Sequence, residues 1–401
     1  MRWNMTVSEQ FTKVGDGLLV RAPGKINISL LVKGKRADGY HDIETIMAKV
    51  DWYDEILFEK YEIRNTKYET QNTKYETGNN KFEIRNSKYE TQNPKSEIPN
   101  KSAYGGQASN TEQRIQNAEQ KMEDPASQSF AEAGGGQENV QYPMSNVECQ
   151  SETHIELICK GEYKVPEGEE NLVYKAAKII LEWHGHPGRA FTGWKPVPQI
   201  KITLTKNVPA GAGLGSGSSD AAATLLGVNK FLKLDLGKKE IWELGAKLGS
   251  DVAFFLDGPM ALCTGRGEKV KKIQECEFRA LLIVPDVSVS TKMVYENYRH
   301  DEAKYGRLSE EIKIYIEKKR VDLVSRMCAN MLQESSFELH PELGVLKKKI
   351  ESLGIRPVCL SGSGSSMYCI VDGSNEEGVM AYQKKLADNG VRSIIVKNNM
   401  W

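Results

Sequence analysis

Apolar and polar positions alternate along most of the chain with the periods of short strands and small helices. Residues 17–31 (GLLVRAPGKINISLL) predict two short strands on either side of a Pro-Gly break. Residues 54–60 (DEILFEK) and 154–160 (HIELICK) are β-type runs that would pair as a hairpin. A helical pattern spans 171–183 (NLVYKAAKIILEW), followed by a Gly/Pro-rich loop at 184–198. Then come a strand over 199–207 (QIKITLTKN), a glycine-rich turn and a small-residue helix from Ser218. Further strands are expected at 279–285, 358–371 and 392–397, the last two separated by a helical stretch. Hairpin and crossover signals together predict an α+β fold. The expected organisation is an N-terminal lobe from 1–60 and 152–277, an insertion over 61–151, and a C-terminal lobe over 278–401.

The insertion opens on a tandem repeat of period seven, KYEIRNT, KYETQNT, KYETGNN, KFEIRNS, KYETQNP, KSEIPNK. A coiled-coil seam needs apolar residues at both a and d, whereas each unit offers essentially one aromatic (Tyr61, Tyr68, Tyr75, Phe82, Tyr89). Asn in the units, with Pro94 and Pro99 at the end, disfavours a long helix. Each Lys is offset by a Glu, so a basic-aromatic surface for nucleic acid is not indicated. A Gln-, Ser-, Gly- and Asn-rich stretch follows, and the whole segment reads as disordered or loosely structured. Lengthening a turn from about 5 to about 90 residues costs only about 2.5 kcal/mol, which a folded core tolerates.

Charge narrows the function classes. Lys plus Arg and Asp plus Glu both total 54, so no general attraction to nucleic acid or anionic membrane is expected. Mean hydropathy is -0.50, and no apolar run is long enough for a signal peptide or a membrane-spanning helix. The 7 cysteines include no CxxC pair, which argues against a zinc or redox motif. The odd number, with Cys263, Cys359 and Cys369 in apolar surroundings, predicts reduced buried thiols in a cytoplasmic protein.

The strongest chemical signal is residues 209–223, PAGAGLGSGSSDAAA. Glycines permit positive φ and bare backbone, so successive N–H groups can converge on phosphate oxygens. The helix that follows aims its positive end at the same point, and Ser218 and Ser219 add hydroxyls for phosphate or Mg²⁺. A flexible turn with an N-capping serine is the bland reading. The preceding strand, the length of the loop and the Ala-rich helix favour phosphate. The loop lacks the GKS or GKT of a Walker A motif and the spacing of a Rossmann fingerprint.

PAGAGLGSGSSDAA resembles the phosphate loop of the galactokinase, homoserine kinase, mevalonate kinase and phosphomevalonate kinase family. Residues 22–30 (APGKINISL) and 360–371 (LSGSGSSMYCIV) are similar to that family's N-terminal and C-terminal motifs. Residues 35–47 (KRADGYHDIETIM) and 248–268 (LGSDVAFFLDGPMALCTGRGE) narrow the resemblance to the branch acting on a cytidine diphosphate-linked methylerythritol. The resemblance covers the chain apart from the insertion and the first residues. It implies two α+β lobes around a shared site, and ATP-dependent phosphorylation of the 2-hydroxyl of the methylerythritol in non-mevalonate isoprenoid biosynthesis. ATP and Mg²⁺ are implied, with a small-molecule substrate, no nucleic acid or membrane partner, and a monomer or weak homodimer.

The same resemblance assigns Lys25 and Asp251 as the catalytic pair. A carboxylate orients or takes the acceptor proton while an ammonium stabilises alkoxide and phosphoryl charge. Read bare, Lys25 is a turn lysine and Asp251 the N-cap of a helix. Asn27 shares a strand face with Lys25 and is placed on the substrate. The nucleotide side comprises Lys206 with Pro209, Ala210, Gly211, Ala212, Gly213, Leu214, Gly215, Ser216, Gly217, Ser218 and Ser219. Tyr40 and His41 match positions around the cytosine ring, with Tyr295 completing a sandwich; otherwise they are half-buried aromatics after a turn. Asp220 stands where some relatives carry Asn. His184 and His186, in HGHP, read as surface loop rather than metal ligands, and Glu338, His340 and Glu342 as an exposed helix end.

Three alternatives remain open. A sibling kinase for homoserine, mevalonate or a sugar would keep the glycine loop but lack ADGYH. A non-catalytic nucleotide-binding relative would not need both Lys25 and Asp251. An interaction scaffold would rest on the repeat, which has too few apolar positions.

Overall fold

The alternation that begins at Leu18 does not stop at the Pro-Gly pair. In the structure, a computed structural model describing residues 10–60, 70–74, 83–87, 154–184, 200–371 and 376–399, it forms one long strand. β1 (Phe11–Val14) turns into β2 (Gly17–Lys35), which pairs antiparallel with β3 (His41–Lys60) along nearly its full length. Two strands were expected over 17–31; the Pro-Gly step is instead absorbed as a bulge between Pro23 and Lys25. There the backbone N–H of Lys25 leaves the ladder and donates to Leu214 O at 2.9 Å.

The chain outside the insertion forms one compact unit, and residues 62–150 a second. Of that second unit, the described residues are β4 (Thr70–Lys74) and β5 (Glu83–Ser87), an antiparallel pair within the repeat. The reading of the segment as disordered otherwise lies outside the described residues, as do His186 and the rest of the 185–198 loop.

β6 (Ile155–Gly161), α1 (Leu172–His184) and β7 (Ile200–Lys206) follow. β6 lies parallel to β7, and β7 is antiparallel to β3, so β7 separates the two runs expected to form a hairpin. The physical reason is α1, a helix long enough to carry the chain back for a parallel pairing. Then come α2 (Ser216–Leu232), α3 (Lys238–Leu248), α4 (Val252–Leu256), β8 (Met260–Gly265) and β9 (Lys269–Lys272). β3 is long enough to serve two partners, β7 along Glu55–Lys60 and β8 along Ile43–Ala48.

The C-terminal part begins with β10 (Arg279–Ile283) and continues through α5 (Thr291–Glu296), α6 (Glu302–Glu317), α7 (Val321–Met327), α8 (Gln333–Leu339) and α9 (Pro341–Ser352). It ends with β11 (Cys359–Leu360), β12 (Met367–Ile370), α10 (Glu376–Asp388) and β13 (Ser393–Lys397). These strands form an antiparallel sheet in the order β11-β12-β10-β13. Residues 358–371, expected as one strand, are two joined by a glycine-serine loop. Mixed strands and helices bear out the α+β reading.

One apolar cluster joins Ile26, Ile28 and Leu30 of β2 to Leu282 of β10 and Tyr368 of β12, so the middle of β2 is buried on both faces. A second cluster packs α1 and α2 against β2, β3 and β7 through Ile180, Val228, Phe58 and Ile202. Polar residues in the middle of β2 therefore sit in an apolar setting, where a polar group left without a hydrogen bond is costly.

Cys359 was expected to be a reduced thiol and is instead bonded to Cys328. The C-terminal end of α7 places Cys328 against β11, with the two Cα atoms 4.9 Å apart. Cys263 and Cys369 are free and buried. Among the described residues, no helix is long and apolar enough to cross a membrane.

Candidate active site

Lys25 leaves the β2 bulge into the space beneath the glycine-rich loop and is only 4% exposed. Its ammonium donates to Gly213 O at 3.0 Å and to the side-chain oxygen of Asn27. Burial holds its pKa below the ordinary lysine value, and the Asp251 carboxylate opposes that shift. Asp251 also acts on Cys263, whose thiol burial pushes up to about 12, and on the Tyr295 phenol, likewise raised by burial first. Lys25, Asp251, Cys263 and Tyr295 thus share one electrostatic environment. Asp251 stands at the N-cap position of α4, as the bare reading allowed, but its side chain makes no capping hydrogen bond there.

Asn27 uses its amide within the protein: Oδ1 accepts from Lys25, and Nδ2 donates to Thr45 Oγ1 at 2.8 Å. The Thr45 hydroxyl in turn donates to Ser29 O at 2.5 Å. These bonds satisfy the polar middle of β2 and fix the rotamer of Lys25.

The loop from Pro209 to Ser219 bends through left-handed glycines at 211, 213 and 215. At Gly213 a Cβ would fall inside van der Waals contact of the Ser361 carbonyl, and at Gly215 it would meet the Lys25 side chain at 3.0 Å. Only bare backbone fits there. α2 starts at Ser216 rather than Ser218, with Gly215 as its N-cap and no side chain capping it, so its first amides stay open to an anion. Ser219 Oγ is buried and has no hydrogen-bond partner among the described residues, as expected of a hydroxyl that awaits a ligand. Lys206, expected on the nucleotide side, is instead buried beneath the loop, between Asp54 at 2.5 Å and Asp220 at 2.6 Å.

The glycine-serine loop after β11 packs on this turn. Ser361 Oγ donates to Gly213 O at 2.9 Å and accepts from Asn27 N at 3.1 Å, while Ser366 N donates to Ala212 O at 3.1 Å. Ser363 Oγ is 2.8 Å from Thr291 Oγ1 at the start of α5. One loop thus connects the Lys25 strand, the phosphate loop and the helix that carries Tyr295.

His41 and Tyr295 come together: their rings stack at 5.1 Å with an interplanar angle of 28°. Tyr40 is 58% exposed, and its ring lies under the Arg266 guanidinium at 5.1 Å. Tyr298 escaped the sequence reading. It meets His41 edge-on at 6.1 Å and reaches His300 Nδ1 at 3.3 Å. Its spacing of three from Tyr295 was the available signal, but α5 ends between them. His41 is held below the ordinary histidine pKa, by burial first and then by the charges of Lys35 and His300. Its ring is therefore neutral near pH 7, with one donor and one acceptor nitrogen. His340 caps no helix end by its side chain and pairs with Glu342 at 3.3 Å, away from these groups. No group of three or more metal-ligating side chains occurs among the described residues.

Residues 171–259 match the model of the GHMP kinases N terminal domain and 312–384 that of the GHMP kinases C terminal. The chain is 29% identical over 357 residues to a 4-diphosphocytidyl-2-C-methyl-D-erythritol kinase of Bacillus cereus (strain B4264), covering 88% of each. It is 28% identical over 380 residues to the Bacillus velezensis protein of the same name, covering 94% of this chain and 93% of the other. In fold it is similar to a crystal structure of 4-(cytidine 5'-diphospho)-2C-methyl-D-erythritol kinase, with a TM-score of 0.57 at 22% identity over 94% of this chain and 98% of that one. It is also similar to homoserine kinase from Cytophaga hutchinsonii, with a TM-score of 0.56 at 16% identity over 98% of each chain. In order around a glycine-rich phosphate loop, the chain thus carries the N-terminal and C-terminal domains of the GHMP kinases.

Proposed function

We propose that this kinase transfers the γ-phosphoryl group of ATP to the 2-hydroxyl of 4-diphosphocytidyl-2-C-methyl-D-erythritol, in the cytoplasm and as a monomer or weak homodimer. The observation that carries the reading is the convergence of Lys25, the Gly213 carbonyl and the Asp251 charge beside a stacked His41–Tyr295 pair. The open amides at the start of α2 and the orphaned Ser219 hydroxyl suit a triphosphate. Mg²⁺ brought with the nucleotide would be held by phosphate oxygens and the Ser218 and Ser219 hydroxyls, a hard-oxygen donor set, and would supply positive charge against the transferring group.

Asp251 orients the acceptor hydroxyl and takes its proton as the bond to phosphorus forms. Lys25, fixed by Asn27 and Gly213, stabilises the alkoxide and the equatorial phosphoryl oxygens. A preset ammonium in a buried site acts without reorganising at the moment of transfer. On the acceptor side, a neutral His41 suits the edge of cytosine, which presents both donors and acceptors, and Tyr295 and the exposed Tyr40 supply aromatic faces. The curated relatives named above support this acceptor, and the ADGYH segment that carries Tyr40 and His41 is where a homoserine or mevalonate kinase should differ.

Incubating the purified protein with ATP, Mg²⁺ and single acceptors, and following ADP release, tests the reading. Turnover with the cytidine-linked acceptor is expected to exceed that with homoserine, mevalonate and free methylerythritol phosphate by at least about 100-fold, the scale set by buried polar recognition groups left unpaired. Comparable turnover with any of the other three would overturn it.

A further inference from the structure

The kinase reading gives no task to one cluster of buried charges. Lys206 at the end of β7, Asp54 on β3 and Asp220 in the first turns of α2 are all at most 3% exposed. The ammonium donates to Asp54 Oδ2 at 2.5 Å and to Asp220 Oδ2 at 2.6 Å. The other oxygen of Asp54 accepts the backbone N–H of Asn207 at 2.6 Å and of Val208 at 2.8 Å, the two residues that lead into Pro209. The other oxygen of Asp220 has no partner among the described residues.

We infer that Asp54, Lys206 and Asp220 are a positioning unit for the phosphate loop, setting both of its ends against the sheet so that its amides face the triphosphate. The entrance is fixed by Asp54 through the two backbone N–H groups. The exit is fixed because Asp220, immediately after Ser219, is drawn to the same ammonium. Apolar packing could hold α2 on the sheet as firmly, since buried ion clusters have no general advantage in stability over packed apolar residues. What apolar residues could not do is dictate the direction of two backbone N–H groups and the helix start together. This assignment rests on the reading of residues 209–219 as the ATP site, and replaces direct nucleotide contact by Lys206.

The test measures binding by calorimetry of a non-hydrolysable ATP analogue with Mg²⁺ and, separately, of CDP, in the full chain. Asp54→Asn turns an amide toward Lys206 and loosens the loop entrance. We expect the dissociation constant for the ATP analogue to rise at least about tenfold, with that for CDP within about twofold. Should Asp54→Asn fail to fold, Asp220→Asn, which gives up the ion pair with Lys206, is measured in its place and is expected to show the same split between the two ligands. Equal losses for both ligands, or a dissociation constant for the ATP analogue within about twofold of the native value, would reduce the cluster to a structural element and overturn the inference. Failure of the native chain to bind CDP would count against the proposed acceptor and leave the ATP comparison readable.

Discussion

The Lys25 ammonium donates to the Gly213 carbonyl at 3.0 Å, so the group placed at the acceptor alcohol is held by the loop placed on the triphosphate. Ser361 donates to the same oxygen and receives the N–H of Asn27. Three segments far apart in sequence therefore meet on one carbonyl.

Gly213 has no room for a single methyl group. Its φ is +78°, and a Cβ there would press on the Ser361 carbonyl. Gly213→Ala is expected to cost about 1–3 kcal/mol from the left-handed backbone alone, with more from the displaced Ser361 contact. Urea denaturation should report that loss, and the KM for ATP should rise. Native stability in this variant would contradict the described packing.

The stacked His41 gives a prediction in pH. Its folded pKa lies below the ordinary 6.5, so the neutral ring is favoured in the fold and the stability it brings declines as pH falls below 6.5, where the unfolded chain binds the proton more readily. The KM for the acceptor should be flat from neutral pH upward and rise as acid charges the ring. His41→Phe should weaken the acceptor about tenfold at pH 7.5, on the scale of one lost buried hydrogen bond, leave ATP unaffected and flatten the acid rise. Persistence of the same acid rise in His41→Phe would assign it elsewhere.

Deleting the insertion should be harmless. Lys60 and Ile155 both pair with Ile200, one on each side of β7, so the ends stand two strand spacings apart, about 10 Å. They leave the sheet at the start of β7, six residues and about 20 Å from Lys206 and the phosphate loop. Removing residues 61–151 and joining Lys60 to Glu152 through three Gly/Ser residues leaves six residues to span the gap, ample at about 3.3 Å each. Expected kcat and KM values lie within about twofold of the full chain. Loss of activity in a shortened chain that still folds would give the insertion a part in the site.

Much of this site was legible because its chemistry lies in contiguous motifs. The glycine loop, APGKIN and ADGYH each encode a local backbone shape or a pair of neighbouring side chains. What was misread depends on distant partners. Pro23–Gly24 looks like a strand break until Leu214 is present to accept the freed N–H of Lys25. Lys206 looks like a nucleotide ligand because it precedes the loop, and nothing local reveals Asp54, 152 residues away on the neighbouring strand. Cys328 and Cys359 are 31 residues apart and meet only because α7 ends over β11. The parallel pairing of β6 is a property of the crossover rather than of either strand, so alternation alone suggested a hairpin.

The most direct test of the account concerns the Lys25–Asp251 pair, through single-turnover phosphoryl transfer in Lys25→Met and Asp251→Asn. Both substrates should still bind within about threefold, because the loop amides and the aromatic platform remain, while the transfer rate falls by about 10²–10³ in each variant. A transfer rate above about a third of the native value in either variant would contradict the account.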